Sequence, residues 1–255
     1  MIILYKVCFG QRVNDDSFER ISSSLAFNRP IVDNITNMVT VCLTSVVKQM
    51  TEEDSIIFFL DGADKNNIIE MVCTKYKVNY TVKQFDHQCA VKISNETILH
   101  IVNEIDNDNE IIYLCEDDYL HYNNCLCRMK DFFKKYPNYF CHPTDYPNLY
   151  DEDTHLGSKH YKQHSEIIVT HDWHWRRIKS TTMTFAFKRQ LYTKYYDVFQ
   201  SMTPKLFWEH MYNIMYIFDE CYSPIPSLCS HLEYNCLPHC IDTEKEYNKI
   251  KKCWT

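Results

Sequence analysis

Strand patterns and helix patterns alternate along the first half of the chain, and this alternation limits the fold more than any other feature of the sequence. Short apolar runs rich in β-branched residues predict strands, and apolar residues at helical spacing predict helices. The predicted strands are 2–9, 55–60, 78–82 and 111–115, and the predicted helices are 35–50, 67–76, 97–105 and 124–136, with Asp33 as the expected N-cap of the first helix. This order is typical of an α/β fold with a mainly parallel central sheet flanked by helices, which is the fold class that we predict.

Two of these strands end in acidic side chains. Residues 111–115 are followed at once by Glu116, Asp117 and Asp118, and Asp61 closes the second strand. Because ligands bind beyond the carboxyl ends of parallel strands, these carboxylates are expected to face one crevice. Like charges held together are costly without a cation, and oxygen ligands suit Mg²⁺ or Mn²⁺, which often bridge a carboxylate to a phosphate. A solvated acidic turn is the alternative for the triplet.

The composition argues against several classes of function. The formal net charge of −7, with no long basic run, disfavours a nucleic-acid partner, because such binding depends on neutralising phosphates. With only 3 glycines, the chain has neither the Gly-rich dinucleotide fingerprint nor a P-loop. No apolar stretch approaches the roughly 20 residues that span a bilayer, so we expect a soluble cytoplasmic protein with no transmembrane segment. The 13 cysteines are then expected to be reduced.

The second half of the chain differs in character. Residues 141–180 are rich in His, Tyr, Asp and Trp and lack regular periodicity. The pattern predicts strands at 166–170 and 182–187 around a loop at 171–177, helices at 189–199 and 206–217, and a loop at 223–240. No linker or repeat marks a boundary, so a single domain over 1–255 is expected.

Three short sequence blocks occur in order along the chain. Residues 116–121 read Glu-Asp-Asp-Tyr-Leu-His, His174-Trp175-Arg176 is followed by Ser-Thr-Thr-Met-Thr-Phe at 180–185, and Ser-Pro-Ile-Pro-Ser at 223–227 is followed by His231. Together they resemble the blocks of small family-2-like glycosyltransferases of the GT-A fold, a group found in bacteria and large viruses. The resemblance implies a Rossmann-like nucleotide-diphospho-sugar transferase fold, with 1–121 as the nucleotide-sugar-binding half and 122–255 as the acceptor-binding half.

The same resemblance implies an activity. It is the metal-dependent transfer of a sugar from a nucleoside-diphosphate donor, of UDP or GDP type, to a glycan or another hydroxyl acceptor. Mn²⁺ or Mg²⁺ would neutralise the charge that develops on the departing diphosphate. The expected location is the cytoplasm, which for a viral protein is that of the host.

Roles for individual residues follow from the resemblance. The last acid of the first block, Asp118, is implied as a metal ligand, and the late histidine, His231, completes the metal shell. Glu116 stands where Asp is usual and is expected near the ribose or a metal-bound water. Asp117 shares in donor binding without a settled role, and Asp61 resembles the acid that contacts the base or ribose.

A carboxylate base is required if the transfer inverts the anomeric centre, and the sequence leaves retention open. Two aspartates are candidates: Asp145, within 143–147, and Asp172, in the aromatic loop at 171–177. Glu209 is a weaker third choice. An ordinary turn or loop role is the alternative for each aspartate.

Other side chains of the second half are candidates for ligand contacts. Arg176 and Arg177 have the chemistry to clamp a diphosphate by charge-assisted hydrogen bonds, with a solvated basic pair as the alternative. Trp173, Trp175 and Tyr146 have flat faces that suit sugar rings, with core packing as the alternative.

Three other functions stay open on the sequence alone. A structural zinc site is one, although its ligand spacings match no standard zinc knuckle. Its candidate ligands are Cys229, His231, Cys236, His239 and Cys240. A metal-dependent nucleotidyltransferase or phosphohydrolase using the same acids is the second. A non-catalytic module that binds a nucleotide sugar is the third.

Overall fold

The computed structural model describes most of the chain. The described residues are 1–9, 29, 31–64, 66–85, 90–147, 150, 165–179, 181, 184–202, 220–233 and 236–254. The helix expected at 206–217 and Glu209 lie outside them, as does part of the block at 180–185.

Within these residues, the core of the fold is a nine-stranded sheet, accompanied by a two-stranded one. The strands are β1 (Ile2–Cys8), β2 (Ser55–Asp61), β3 (Tyr80–Phe85), β4 (Ile111–Glu116), β5 (Tyr119–His121), β6 (Phe140–Cys141), β7 (Ile167–Val169), β8 (His174–Ile178), β9 (Phe185–Lys188), β10 (Cys221–Ile225) and β11 (Cys229–His231). The large sheet has the order β3-β2-β1-β4-β9-β6-β10-β8-β7, and the small sheet pairs β11 with β5.

The sheet is mixed but mainly parallel, which confirms the predicted fold class. β3, β2, β1 and β4 are parallel neighbours, and β6 and β10 are also parallel to each other. β9 is antiparallel to both β4 and β6, and β8 is antiparallel to β10 and β7. It follows that β1 to β4, β6 and β10 end at one edge, where β8 and β9 begin. We call this the C-terminal edge.

Helices cover both faces of the large sheet. They are α1 (Ile35–Val47), α2 (Ile68–Tyr76), α3 (Ala90–Asn103), α4 (Cys125–Lys135), α5 (Arg189–Lys194), α6 (Tyr196–Met202) and α7 (Thr243–Lys251). One core cluster packs the sheet against α1, α2, α4 and α7, and the other packs it against α3, α5 and α6. Successive strand residues alternate between them, as Tyr5 and Leu4 of β1 do, because neighbouring side chains on a strand point to opposite faces.

Two predicted loops contain strands, so those predictions are wrong. The loop expected at 171–177 includes most of β8, in which Trp175 and Arg176 are buried. The charged residues of β8 obscure the apolar pattern by which a strand is predicted. The loop expected at 223–240 includes most of β10 and all of β11, a strand of only three residues. Strands this short give too little periodicity to detect from sequence.

The N-cap prediction for α1 is also wrong by one residue. Asn34 is the N-cap, and its Oδ1 accepts from the Asn37 backbone N–H at 2.8 Å. Asp33 instead accepts from Lys251 Nζ at 3.0 Å and ties the start of α1 to α7.

Two further observations concern the helices and the cysteines. Within the described residues, no helix is both long and apolar enough to cross a membrane. Every cysteine in that part of the chain is a free thiol.

Candidate functional site at the C-terminal edge

The acidic element lies in a tight turn between the two sheets. β4 ends at Glu116, Asp117 and Asp118 form the turn, and β5 begins at Tyr119. β5 pairs with β11, and the Leu232 N–H just after β11 donates to the Asp118 carbonyl at 2.9 Å. Because Tyr119 is fully buried, this pairing fixes the acidic turn against the core.

Cys8 links two of the acids that the sequence assigned to donor binding. Its backbone N–H donates to Asp117 Oδ2 at 2.8 Å, and its thiol donates to Asp61 Oδ2 at 3.8 Å. β1 lies between β2 and β4, so its last residue neighbours the ends of both strands. The structure thereby brings Asp61 and Asp117 to one part of the C-terminal edge.

Glu116 is held by the residue that precedes β9. Its backbone N–H donates to Thr184 Oγ1 at 3.1 Å, and the Thr184 hydroxyl donates to Glu116 Oε2 at 3.5 Å. Thr184 is fully buried and is itself fixed, since its carbonyl accepts from His142 Nδ1 at 2.6 Å. The Glu116 carboxylate is therefore oriented by the residue that leads into the antiparallel strand β9.

Asp118 is the most enclosed acid of the element. Its Oδ2 lies 2.6 Å from Arg29 Nη2 and 3.3 Å from His231 Nε2. Burial alone would raise the pKa of the Asp118 carboxyl, but His231 and Arg29 hold that pKa well below its usual range. Burial would lower the pKa of His231, but the adjacent Asp118 raises it well above its usual value. The three side chains form one buried charge cluster.

His231 is fixed by aromatic neighbours. Its ring stacks on Tyr119 with centroids 4.7 Å apart, and its Nδ1 lies 3.3 Å from the Tyr146 hydroxyl. The hydroxyls of Tyr119 and Tyr146 are 2.7 Å apart. On the other side of the ring, Nε2 lies 3.5 Å from Glu233 Oε2. The two-stranded sheet thus places His231 beside Asp118 with little rotational freedom.

The Asp118 and His231 pair fits the divalent ion that the resemblance implies. The two ligand atoms are 3.3 Å apart, close to the spacing of about 3.0–3.4 Å between neighbouring ligands on one ion. Carboxylate oxygen and imidazole nitrogen also suit Mn²⁺. Binding requires that His231 release its proton, and it sets the ion in competition with Arg29 for Asp118 Oδ2.

Asp145, the first candidate base, is buried near this cluster. Its N–H donates to Ser227 Oγ at 2.9 Å, its Oδ2 accepts from the Tyr150 hydroxyl at 2.6 Å, and its Oδ1 pairs with Arg176. Burial raises the pKa of Asp145, and Arg176 opposes that rise only in part. Arg176, expected at the diphosphate, therefore has Asp145 as its partner. The next residue after Asp145 is Tyr146, which contacts His231.

Asp172, the second candidate base, lies in a different setting. Its side chain is 56% exposed and pairs with Arg128 Nη1 at 3.0 Å. The Arg128 guanidinium lies 3.6 Å from the centroid of Trp173, whose Nε1 donates to the Pro226 carbonyl at 3.0 Å. The structure groups Asp172 with α4 and the loop before β8, at the same sheet edge but outside the Asp118–His231 pair.

The aromatic candidates separate into different environments. Trp175 is fully buried, packs against Phe132 and donates from Nε1 to Thr170 Oγ1 at 3.0 Å. It is therefore a core residue and has no face open to a sugar ring. Tyr146 is also buried and supports His231. Trp173 is partly exposed.

Sequence reasoning missed two residues of the cluster. Nothing around Arg29 in the sequence indicates that it would meet Asp118. Glu233 carries a detectable signal, because it is an acid two positions after a predicted metal ligand. Of the zinc candidates, His231 and Cys236 come together, and their ligand atoms and one of Glu233 lie within 4.8 Å of one another. Cys229 Sγ instead lies 3.0 Å from Thr144 Oγ1.

Comparison with solved structures identifies the fold. A fragment of S. aureus TarS, residues 1–349, matches 87% of this chain with a TM-score of 0.51 and 10% sequence identity. The chain has the GT-A fold. It spans 57% of the length of that fragment, and at 10% identity the likeness concerns the fold alone.

Weaker likenesses do not bear on function. A nucleotidyl transferase from Methanothermobacter thermautotroptrophicus matches 100% of this chain over 97% of its own, at 11% identity and a TM-score of 0.45. The galactosyltransferase LgtC with donor and acceptor sugar analogues matches 88% of this chain over 73% of its own, at 9% identity and a TM-score of 0.45. No protein-family model and no curated protein sequence matches the chain.

Proposed function

We propose that this protein is a metal-dependent glycosyltransferase that moves a sugar from a nucleoside diphosphate to a hydroxyl acceptor. One observation carries the proposal. On a GT-A fold, the acidic turn that ends β4 places Asp118 against His231, in a cluster that fits a divalent ion at the C-terminal edge. We take the whole chain, 1–255, as one domain, with the donor half at 1–121 and the acceptor half at 122–255.

The donor half supplies groups for each part of a nucleoside-diphosphate sugar. Asp61 is assigned to the base or ribose because it closes β2 next to Asp117 and Cys8. Glu116, fixed by Thr184, is assigned to the ribose or a metal-bound water. Asp61 and Glu116 are both partly exposed at this edge.

Asp118 and His231 would hold Mn²⁺ or Mg²⁺. When bound, such an ion neutralises the negative charge that develops on the departing diphosphate. Arg29 has a complementary role, because its guanidinium is the cation already present at Asp118. When an ion engages Asp118, the planar fork of Arg29 would turn to a diphosphate oxygen, for which its geometry is suited.

Asp145 is assigned as the base for an inverting transfer, in preference to Asp172. The Tyr150 hydroxyl lies 2.6 Å from Asp145 Oδ2, and we take this hydroxyl as a stand-in for the acceptor hydroxyl. A carboxylate whose pKa is raised by burial is also a better proton acceptor. The acceptor proton would move to Asp145 as the acceptor oxygen attacks the anomeric carbon and the diphosphate leaves.

Calorimetry of nucleotide binding tests this proposal. UDP, GDP, CDP and dTDP would each be titrated into the protein with Mn²⁺ and again with EDTA. We expect one base, of the uridine or guanosine type, to bind tightly with Mn²⁺ and at least about tenfold more weakly with EDTA, a difference of about 1.4 kcal/mol or more. Failure of all four to bind the folded protein would refute the proposal.

Matched variants test whether the Mn²⁺ dependence of nucleotide binding arises at Asp118. Asp118→Asn removes one metal-ligating charge and should abolish the difference between Mn²⁺ and EDTA. Asp131→Asn removes one carboxylate of α4 that pairs with Lys134 on the surface, and it should leave that difference unchanged. Product analysis with the matching sugar nucleotide then distinguishes transfer from hydrolysis, because only transfer depends on the acceptor.

A further inference from the structure

We propose that His142, Ser223 and Arg176 form a subsite that binds a neutral sugar acceptor through its hydroxyl groups. The inference rests on the proposed function and deepens it, because it names the ligand class of the acceptor and the residues that recognise it. Each of the three side chains has a buried polar atom with no hydrogen-bond partner in the described part of the chain: His142 Nε2, Ser223 Oγ and Arg176 Nε.

The three residues lie side by side on neighbouring strands, and we call them the polar row. Ser223 of β10 is the register partner of Arg176 on β8. His142 follows β6, and its N–H donates to the Tyr222 carbonyl at 2.9 Å, which places it beside Ser223. Side chains two positions apart on a strand share a face. The residues two positions from each member of the row belong to the core cluster on the side of α3, α5 and α6: Phe140, Cys221 and Ile178. The polar row therefore lies on that face, at the C-terminal edge.

Unpaired atoms in this row need an explanation. Buried polar atoms are nearly always hydrogen-bonded, and an unpaired one has lost its water without compensation. Ser223 and His142 are 0% exposed, and Arg176 is 8% exposed. Two of the side chains are also fixed by their other nitrogens, since Arg176 Nη2 pairs with Asp145 and His142 Nδ1 lies 2.6 Å from the Thr184 carbonyl. The row is thus held in place with hydrogen-bonding atoms that a ligand can satisfy.

The hydrogen-bonding roles of these atoms select hydroxyl groups. The Thr184 carbonyl can only accept, so His142 Nδ1 carries the proton and Nε2 is an acceptor. Burial lowers the pKa of His142 to about 4, which keeps the ring neutral near pH 7. Arg176 Nε–H can only donate, and the Ser223 hydroxyl can do both. A ligand that satisfies the row must both donate and accept, as sugar hydroxyls do and as a carboxylate or a phosphate dianion does not.

Charge and position also favour a neutral acceptor. Asp145 balances the charge of Arg176, so with a neutral His142 the row has no net charge to attract an anion. Asp145 is the proposed base, so a sugar bound to the row would have a hydroxyl beside the proton acceptor. Tyr150 is 45% exposed, its ring centroid lies 4.3 Å from the Arg176 guanidinium, and its hydroxyl donates to Asp145. The acceptor would enter by displacing Tyr150.

Titration of the full chain with neutral glycosides, followed by saturation-transfer NMR, tests the inference. The probes are the methyl glycosides of glucose, galactose, mannose and N-acetylglucosamine, each added in EDTA and again with Mn²⁺ and UDP or GDP. We expect at least one to bind, and inorganic phosphate in EDTA not to compete with it. Competition by phosphate would overturn the hydroxyl chemistry. Absence of glycoside binding in every condition would mean that the row holds ordered water only, and would overturn the proposal.

A matched pair of buried serines locates the binding. Ser223→Ala should weaken glycoside binding at least about tenfold without lowering the urea midpoint, because the hydroxyl that it removes has no partner within the described residues. Ser45 is also 0% exposed, but its Oγ donates to the Cys42 carbonyl at 2.6 Å and accepts from the His121 N–H at 2.8 Å. Ser45→Ala should therefore lower the urea midpoint and leave glycoside binding unchanged.

His142→Asn is the second variant of the row. Asn retains a donor for the Thr184 carbonyl but lacks the Nε2 acceptor, so glycoside binding should again weaken at least about tenfold. Wild-type glycoside affinity in folded Ser223→Ala and His142→Asn would refute the subsite. Mn²⁺-dependent nucleotide binding without glycoside binding would reject this inference alone. Glycoside binding that depends on Ser223, in a protein that binds no nucleotide, would instead reject the proposed function and keep the subsite.

Discussion

Arg29 Nη2 lies 2.6 Å from Asp118 Oδ2, although 89 positions separate the two residues in the chain. The same carboxylate oxygen faces His231 Nε2 at 3.3 Å. Arg29 is therefore the cation at the position where a divalent ion would bind. This makes the metal-free site stable as it stands, and it means that metal binding and the Arg29 contact oppose each other.

Substitution of Arg29 by Ala should separate these two effects. Loss of a charge-assisted hydrogen bond should lower the free energy of unfolding in EDTA by about 2 kcal/mol. With its competitor removed, Asp118 should bind Mn²⁺ about tenfold more tightly, equal to about 1.4 kcal/mol. Thermal unfolding at several Mn²⁺ concentrations measures both quantities.

Arg128→Ala is the control for Arg29, because Arg128 also pairs with an aspartate but at Asp172. Its Mn²⁺ affinity should equal that of the wild-type protein. An unchanged Mn²⁺ affinity in Arg29→Ala would show that the guanidinium does not compete with the ion.

The two candidate bases differ in burial, and their substitutions should differ in effect. Asp145→Asn should lower kcat of sugar transfer by about 10²–10⁴-fold, the usual contribution of a positioned base, with little change in donor binding. Asp172→Asn should change kcat by less than about threefold, since Asp172 is 56% exposed and paired with Arg128. Steady-state kinetics with the donor identified by calorimetry measure both.

A stability measurement is needed beside those kinetics, because Asp145→Asn leaves Arg176 with a weaker buried partner. If the variant is folded and its kcat equals that of the wild-type protein, Asp145 is not the base. A large loss of kcat in Asp172→Asn, without one in Asp145→Asn, would show that Asp172 in the exposed loop is the base.

The parallel half of the sheet was predictable because local pattern and final environment agree there. β1, β2 and β4 consist mainly of apolar residues because both of their faces are covered by helices, and buried parallel strands have this composition. The acids at Asp61 and Glu116 were visible for the same reason, because each interrupts an apolar run where its strand ends.

The second half of the chain was less predictable because its structure depends on contacts between distant segments. β8 contains adjacent arginines, and the burial of Arg176 depends on Asp145, a residue 31 positions away. The ion pair of Arg29 with Asp118 spans a still longer separation. Such pairs leave no periodic signal, so the sequence indicated the proposed metal ligands but not the side chains that balance their charge.

The tryptophans at 173 and 175 should give opposite phenotypes. Trp175→Ala should destabilise the fold by about 3–5 kcal/mol, because the side chain is fully buried against Phe132. Trp173→Ala should cost about 1 kcal/mol or less but raise KM for a sugar acceptor about tenfold, if its partly exposed face stacks on the acceptor. Urea unfolding and acceptor-dependent kinetics measure the two effects. A normal acceptor KM in Trp173→Ala would remove that residue from the acceptor site.

His121 should make the fold sensitive to acid. Its Nδ1–H donates to the Tyr119 carbonyl at 3.0 Å and its Nε2 accepts from the Tyr113 hydroxyl at 2.6 Å, an arrangement that requires a neutral ring. Burial lowers the pKa of His121 from 6.5 to about 3. Below about pH 6.5 the unfolded chain binds a proton that the folded chain does not, so the free energy of unfolding should fall by up to about 1.4 kcal/mol per pH unit until the folded pKa is reached.

Urea unfolding between about pH 5 and about pH 7 measures this dependence. His121→Gln should be less stable near neutral pH, because Tyr113 loses its acceptor, but its stability should fall less steeply with acid than that of the wild-type protein. His100→Gln changes an exposed histidine of α3 and should keep the wild-type slope. The buried His142, whose pKa burial lowers to about 4, should maintain part of the slope in both variants. Equal slopes in His121→Gln and the wild-type protein would mean that His121 takes up its proton without unfolding, and that the neutral hydrogen-bonded ring is not what limits stability in acid.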